Sequence, residues 1–332
     1  MNQFEYSSPA TTQDALGVLS ASGTNARFIA GGTTLVDLMK LNVESPARLV
    51  DITSIDELRQ IDVSGGDELV LGALTRMSEL ADHPFVKERF PVLSESLWKA
   101  ASQQLRNMAT LGGNLLQRTR CAYFRDIQYA CNKRSPGSGC SAFDGANRGH
   151  ALLGGSSQCI ATYPGDFAVA LVALDAVIDT VSPRGRRSMP VERLHLEPGE
   201  SPHLESRLEH DELIVRIRIP SSRVGIASTY QKIRDRESYA FALTSAAVAL
   251  EFDGDRVRDA RIALGGVATR PWRARAAERS LVGLRLTTES AREAGRIAFA
   301  DAQPRLQSAF RVPLGINTVA SALAIAQKRA AA

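Results

Sequence analysis

The chain has little that would mark it for a membrane or a nucleic acid. No run of 18 or more apolar residues occurs in its 332 residues, so no membrane insertion is expected. The formal net charge is only +4 and aromatics make up 6%. No basic stripe interleaved with aromatics stands out, so no nucleic-acid partner is expected. The opening residues, Met1-Asn2-Gln3-Phe4-Glu5-Tyr6, lack a basic region followed by an apolar one. From this we expect no secretory leader, and either a cytoplasmic chain or one exported with a signal-bearing partner. Motifs are missing too. There is no G-x-G-x-x-G and no Gly-Lys-Ser/Thr of a Walker A loop, and neither a Ser-His-Asp set nor a carboxylate pair stands out. No catalytic residue is therefore assigned on this chain.

Cysteine is scarce but concentrated. Cys121, Cys131, Cys140 and Cys159 are the only four, and they fall within 39 residues. Cysteines used merely as small core residues should scatter, so the cluster suggests a four-ligand site or two crosslinks. The spacings are C-x9-C, C-x8-C and C-x18-C. Zinc ribbons and fingers usually contain a C-x2-4-C knuckle, and none is present. Ferredoxin spacings are absent as well. Disulfides, zinc, an iron–sulfur cluster and plain thiols all remain open on spacing alone. The segment 117–160 around them is rich in Gly, Ser and Arg and weakly periodic. Such a long loop needs pinning. It carries Arg118, Arg120, Arg125, Lys133, Arg134 and Arg148 against Asp126 and Asp144. These cations either compensate an anionic cluster, form a solvated face or dock an acidic partner.

Two glycine pairs follow apolar segments. Phe28-Ile29-Ala30-Gly31-Gly32-Thr33 reads as strand, turn and helix start, and Thr110-Leu111-Gly112-Gly113-Asn114-Leu115 has the same character. Each is either a plain turn or cap, or a place where backbone N–H groups approach a phosphate. Together they could grip the two phosphates of a dinucleotide. Asp166 reads as a helix N-cap. Lys232 sits at a basic strand end, facing a phosphate, a flavin or solvent. His83, His150, His203 and His210 read as surface histidines.

Periodicity predicts a β-α-β unit over 1–55, with helices over 12–22 and 34–41 and strands near 27–30 and 48–52. A strand is expected at 69–73, a short helix at 77–81, and one longer helix from Pro91 with Leu93, Leu97, Ala101, Leu105 and Met108 on a single face. A helix is expected over 166–174, and strands over 176–181, 212–220, 228–232 and 257–264. Residues 240–250 read as either helix or strand, and two helices end the chain. A domain boundary is placed near 220–226, dividing 1–222 (with subdomains 1–55 and 56–222) from 223–332.

On these residues the chain resembles the FAD-binding subunit of the molybdenum hydroxylases, the xanthine dehydrogenase and carbon monoxide dehydrogenase family. Ala30-Gly31-Gly32-Thr33 and Thr110-Leu111-Gly112-Gly113-Asn114 resemble that family's two FAD turns. The likeness extends to Leu264-Gly265-Gly266-Val267-Ala268 and Pro271-Trp272-Arg273. The cysteine insert is similar to that of the medium subunit of three-subunit bacterial periplasmic aldehyde oxidoreductases. Benzoyl-CoA-type reductases of the family also carry an extra cluster. The resemblance implies an α+β chain: a PCMH-type, vanillyl-alcohol-oxidase-like FAD-binding fold followed by a CO dehydrogenase flavoprotein-type C-terminal domain. It implies FAD contacts from Arg27, Phe28, Ile29, Ala30, Gly31, Gly32, Thr33, Thr34 and Leu35, from Thr110, Gly112, Gly113 and Asn114, and from Asp166, Ile214 and Lys232. It implies one [4Fe-4S] cluster on Cys121, Cys131, Cys140 and Cys159. The implied partners are a large molybdenum-cofactor subunit that oxidises aldehydes, a small subunit with two [2Fe-2S] clusters, and an external electron acceptor. The implied location is periplasmic. The family's Pro-Ser-Asp turn is Pro164-Gly165-Asp166 here, so one hydroxyl is missing.

Overall fold

The computed structural model describes residues 1–221 and 223–331. The chain builds three sheets. The first is parallel, in the order β1 (Glu5–Ser7), β3 (Arg48–Asp51), β2 (Ala26–Ile29). A helix over Thr12–Ala21 makes the first crossover. It starts where Thr11 Oγ1 accepts from the Asp14 amide at 3.1 Å, and it buries Ala15, Leu16 and Leu19. The expected β-α-β unit is thus present, widened by β1.

The second sheet is antiparallel, in the order β4 (Ile61–Asp62), β5 (Glu68–Gly72), β8 (Leu213–Pro220), β6 (Val177–Ser182), β7 (Gly185–Pro190). The alternation read in β8 is real. Ile217 and Ile219 point into one core, while Arg218 turns out to Asp179 at 3.1 Å and Glu68 at 3.0 Å; before a register shift against β6, Leu213 faces a different core.

The third sheet runs β12 (Trp272–Arg273), β11 (Arg256–Gly265), β10 (Thr244–Asp253), β9 (Ser228–Ile233). Residues 240–250, ambiguous in the sequence, contribute to β10 and not to a helix. The reason is that β10 is covered on both faces. Ala246, Val248 and Leu250 join the core under the C-terminal helices, while Ala247 and Ala249 join the core of the second sheet. A strand buried on both sides loses its period of two. Three helices, not two, follow: Arg275–Leu281, Thr288–Ala298 and Arg311–Ala330.

The long helix expected from Pro91 is broken. It ends at Trp98, Ala101 takes φ +47°, and a new turn starts over Gln103–Arg106 with Ser102 as its cap. Met108, expected on the buried face, is 57% exposed. The boundary expected between 222 and 223 falls at Ser222, outside the described residues. Among the described residues no helix is long and apolar enough to cross a membrane.

Candidate functional site

The two glycine turns meet. A Cβ built on Gly31 would lie 1.9 Å from the Met108 carbonyl oxygen, so only glycine permits the β2 turn to close on the segment leading to Thr110. Gly32 has φ +69°, a left-handed conformation that starts the helix Leu35–Lys40. The second turn is seated by Leu111 N on Thr75 O at 3.0 Å and Gly112 N on Ala73 O at 2.8 Å. Thr110 caps it, its Oγ1 accepting from Gly113 N at 3.3 Å. The amides of Leu111 through Asn114 are thus all engaged within the protein, whereas those of Gly32, Thr33 and Thr34 meet no protein acceptor among the described residues and are the ones open to a ligand.

These turns floor a cavity of about 600 Å³. Arg27 through Leu35, Thr110, Gly112, Gly113 and Ile214 all line it. Its volume lies within the range of roughly 300–1,000 Å³ of small-molecule sites. Asn114 does not line it; its Nδ2 points to Met77 Sδ at 3.4 Å. Asp166 and Lys232 do not line it either. Asp166 occupies the N-cap position of the helix Phe167–Ala173, but its carboxylate makes no cap hydrogen bond. It accepts from Tyr230 Oη at 2.6 Å and Lys232 Nζ at 2.8 Å, and both partners are buried. Two stronger donors in a dry interface outcompete a cap amide.

The opposite wall was not legible in the sequence. Tyr163, His195, Leu196 and residues 203–206 and 208–210 form it. His195 Nε2 donates to Leu115 O at 2.8 Å, and its ring packs against Tyr163 at a tilt of 52° with centroids 4.3 Å apart. Burial pushes its pKa down to about 4, so the ring is neutral at pH 7. Only the fold brings this residue beside the glycine turn.

The four cysteines are free thiols, and all four line one small second cavity. Lys133 and Ala161 line both cavities and form a shared wall. Lys133 is the only charged side chain around the thiols among the described residues. Burial pushes Cys121 up to about 11 and raises Cys140 and Cys159, with Lys133 opposing the rise at Cys159. Among the described residues no three of His, Cys, Asp and Glu form a group that could hold a metal ion.

The other loop cations act elsewhere. Arg120 and Arg125 both grip Asp37, at 2.9 and 2.8 Å, on the helix that follows the first glycine turn. Arg118 reaches Glu205 at 2.6 Å and also pairs with Glu44. Lys133 binds the other oxygen of Glu205 at 2.8 Å. For Glu205, burial alone would raise the pKa, but Lys133 and Arg118 outweigh it and hold the group lowered. Arg134 donates to the carbonyls of Tyr123 and Phe124, and Arg148 pairs with Asp235 at 2.9 Å. The cations that sequence reading left between cluster compensation and a solvated face are mostly tethers. They fasten the cysteine loop to the walls of the larger cavity.

One histidine expectation fails. His150 is buried, not on the surface, and its Nε2 lies 3.2 Å from Cys121 Sγ. The loop folds it inward because its carbonyl is gripped by Arg311 at 2.6 Å. His203 and His210 are exposed at the rim of the larger cavity, and His83 is half-buried.

The family follows from sequence and fold together. Residues 2–222 match the family model described as the FAD binding domain in molybdopterin dehydrogenase, and residues 228–325 match that of the CO dehydrogenase flavoprotein C-terminal domain. The chain belongs to the FAD-binding medium subunits of the molybdenum hydroxylases, and it is an oxidoreductase subunit. It is 45% identical to the aldehyde oxidoreductase FAD-binding subunit PaoB of Escherichia coli strain K12, over 99% of this chain and 100% of that one. It is 29% identical to the carbon monoxide dehydrogenase medium chain of Hydrogenophaga pseudoflava, over 91% of this chain and 88% of that one. Among solved structures, carbon monoxide dehydrogenase from Hydrogenophaga pseudoflava lacking the Mo-pyranopterin moiety superposes with a TM-score of 0.78. It is 29% identical and covers 99% of this chain and 98% of its own. The α+β architecture inferred from the sequence is the one observed.

Proposed function

We propose that the chain is the FAD and [4Fe-4S] subunit of a heterotrimeric aldehyde oxidoreductase, with molybdenum chemistry on a large partner and two [2Fe-2S] clusters on a small one. The observation that carries this is the shared wall. A dinucleotide-sized cavity floored by two glycine turns meets a cavity ringed by four thiols, with Lys133 and Ala161 common to both. The full-length likeness to PaoB, itself named for an aldehyde oxidoreductase, supplies the substrate class.

The residue types lining the two cavities suit both groups, and the four thiols ring their cavity without converging on a single ion. Bound FAD would supply a carrier able to take electrons from the partner subunits and release them to an external acceptor. The amides after Gly31 would take its phosphates, with the second glycine turn closing the floor by its shape and Ile214 and Tyr163 on the cavity walls. Asp166 and Lys232 brace the domain interface from outside the cavity. The four sulfurs form a donor set with no carboxylate around them, which suits iron–sulfur ligation, and Lys133 offsets thiolate charge. Burial of the thiols means protons must leave when iron binds. The role of this chain is to place the flavin, exclude bulk water from its inner face and fix its surroundings.

Cofactor analysis of the purified chain tests the reading. Acid-released FAD together with iron and acid-labile sulfide supports it. FAD with oxidised cysteines would indicate a free-standing oxidase, and zinc without flavin a partner-binding module. Either result would overturn the proposal.

A further inference from the structure

We propose that His150 is a positioning residue for the group held by the four cysteines, donating its Nε2–H to the Cys121 sulfur and raising that group's reduction potential. The inference rests on the iron–sulfur reading above. It begins from the 3.2 Å contact between His150 Nε2 and Cys121 Sγ. A sulfur bound to metal has no proton to give, so the hydrogen of this contact must come from the imidazole. The other ring nitrogen, Nδ1, is buried without a partner. The sulfur contact is therefore the hydrogen bond that the ring makes.

The geometry is built and not incidental. His150 N donates to Asn147 O at 3.0 Å. Its carbonyl accepts from Arg311, which is fully buried at the start of the C-terminal helix. The same guanidinium holds Leu243 O at 2.8 Å and Arg148 O at 3.2 Å, and it also reaches Gly266 O. One arginine thus fixes the loop backbone against the residues that flank the two long strands of the third sheet, Leu243 before β10 and Gly266 after β11, and sets the imidazole at the sulfur. The backbone is already clamped without the ring, so a purely structural role would not require a polar side chain here. A hydrogen bond to a ligand sulfur stabilises the more negative, reduced form of a cluster, which raises its potential.

The test is a redox titration of the purified full chain followed by electron paramagnetic resonance, with ¹⁵N-histidine labelling. In the wild type, the reduced cluster should show a weak coupling to histidine nitrogen. His150→Phe should lose that coupling and fall in potential by a tenfold shift in the reduction equilibrium or more, about 59 mV for a one-electron couple. His150→Gln keeps an N–H donor and should recover part of the shift. A fully loaded His150→Phe with unchanged potential overturns the proposal. Should the variants fail to load iron, the wild-type coupling decides: present supports the proposal, absent overturns it. A wild type without iron–sulfur overturns the underlying reading itself, and that outcome is visible before any variant is made.

Discussion

Lys232 Nζ donates to Asp166 Oδ2 at 2.8 Å in an interface where the two side chains are 1% and 6% exposed. Asp166 precedes the wholly buried helix Phe167–Ala173, and Lys232 lies on β9 of the third sheet. Tyr230 Oη closes the network, donating to Asp166 at 2.6 Å and contacting Ser245 Oγ at 2.8 Å. Removing one partner of a buried pair strands a charge and costs about 3–5 kcal/mol, far more than the pair itself contributes. Lys232→Met should destabilise the chain by about that amount in urea denaturation. Asp166→Asn/Lys232→Met should be the more stable variant of the two. Equal stability of the single and double variants would show that no charge is stranded.

Gly31→Ala forces a Cβ to 1.9 Å from a backbone oxygen and must push the two turns apart. Loss of tight FAD binding, with a fall in thermal stability, is the expected result. Gly17→Ala is the control. It meets nothing within 4 Å, lies inside the helix Thr12–Ala21, and should be neutral or stabilising by up to about 1 kcal/mol.

Acid should act through histidine before it acts through the paired carboxylates. His150 and His195 are both pushed down to about 4 by burial, from an ordinary 6.5. Between these values the unfolded chain binds protons that the folded chain refuses, so stability falls as the pH drops from 6.5 towards 4. The lowered carboxylates Asp37 and Glu205 add their loss only below about 4.5. Denaturant midpoints measured across this range should show a slope near two protons for the wild type and near one for His195→Phe. An identical slope in both would remove His195 from this account.

The thiols of cofactor-free protein should be sluggish. Cys121 is pushed from 9.0 to about 11 by burial. At pH 8 its reactive thiolate fraction is lower by roughly a hundredfold, before steric shielding. Iodoacetamide labelling followed by mass spectrometry should therefore accelerate steeply above pH 9. Rapid labelling of Cys121 at pH 7 would contradict the burial seen here.

What could be read from the sequence was local. The glycine pairs announced two turns because glycine tolerates left-handed φ and close backbone approach, as Gly32 and Gly31 now show. The cysteines announced a common site through their crowding. What could not be read was long-range. His195 joins the larger cavity through Leu115, 80 residues earlier. Arg120 and Arg125 look like loop charges until the fold places Asp37 between them. His150 looked solvent-exposed because its neighbours are polar, whereas Arg311, 161 residues away, folds it inward. The break at Ala101 defeated a regular apolar stripe because the chain must turn to bring Met108 against Gly31.

The proposed function puts two electron carriers in adjoining cavities of one chain. Its most direct test is flavin, iron and sulfide stoichiometry of the purified protein, combined with its visible spectrum before and after aldehyde is added to the assembled complex. The account predicts about one FAD and about four irons per chain, and bleaching of both the flavin and the cluster absorbance by aldehyde. A chain that carries FAD but no iron, with an unchanged spectrum after aldehyde, would contradict it.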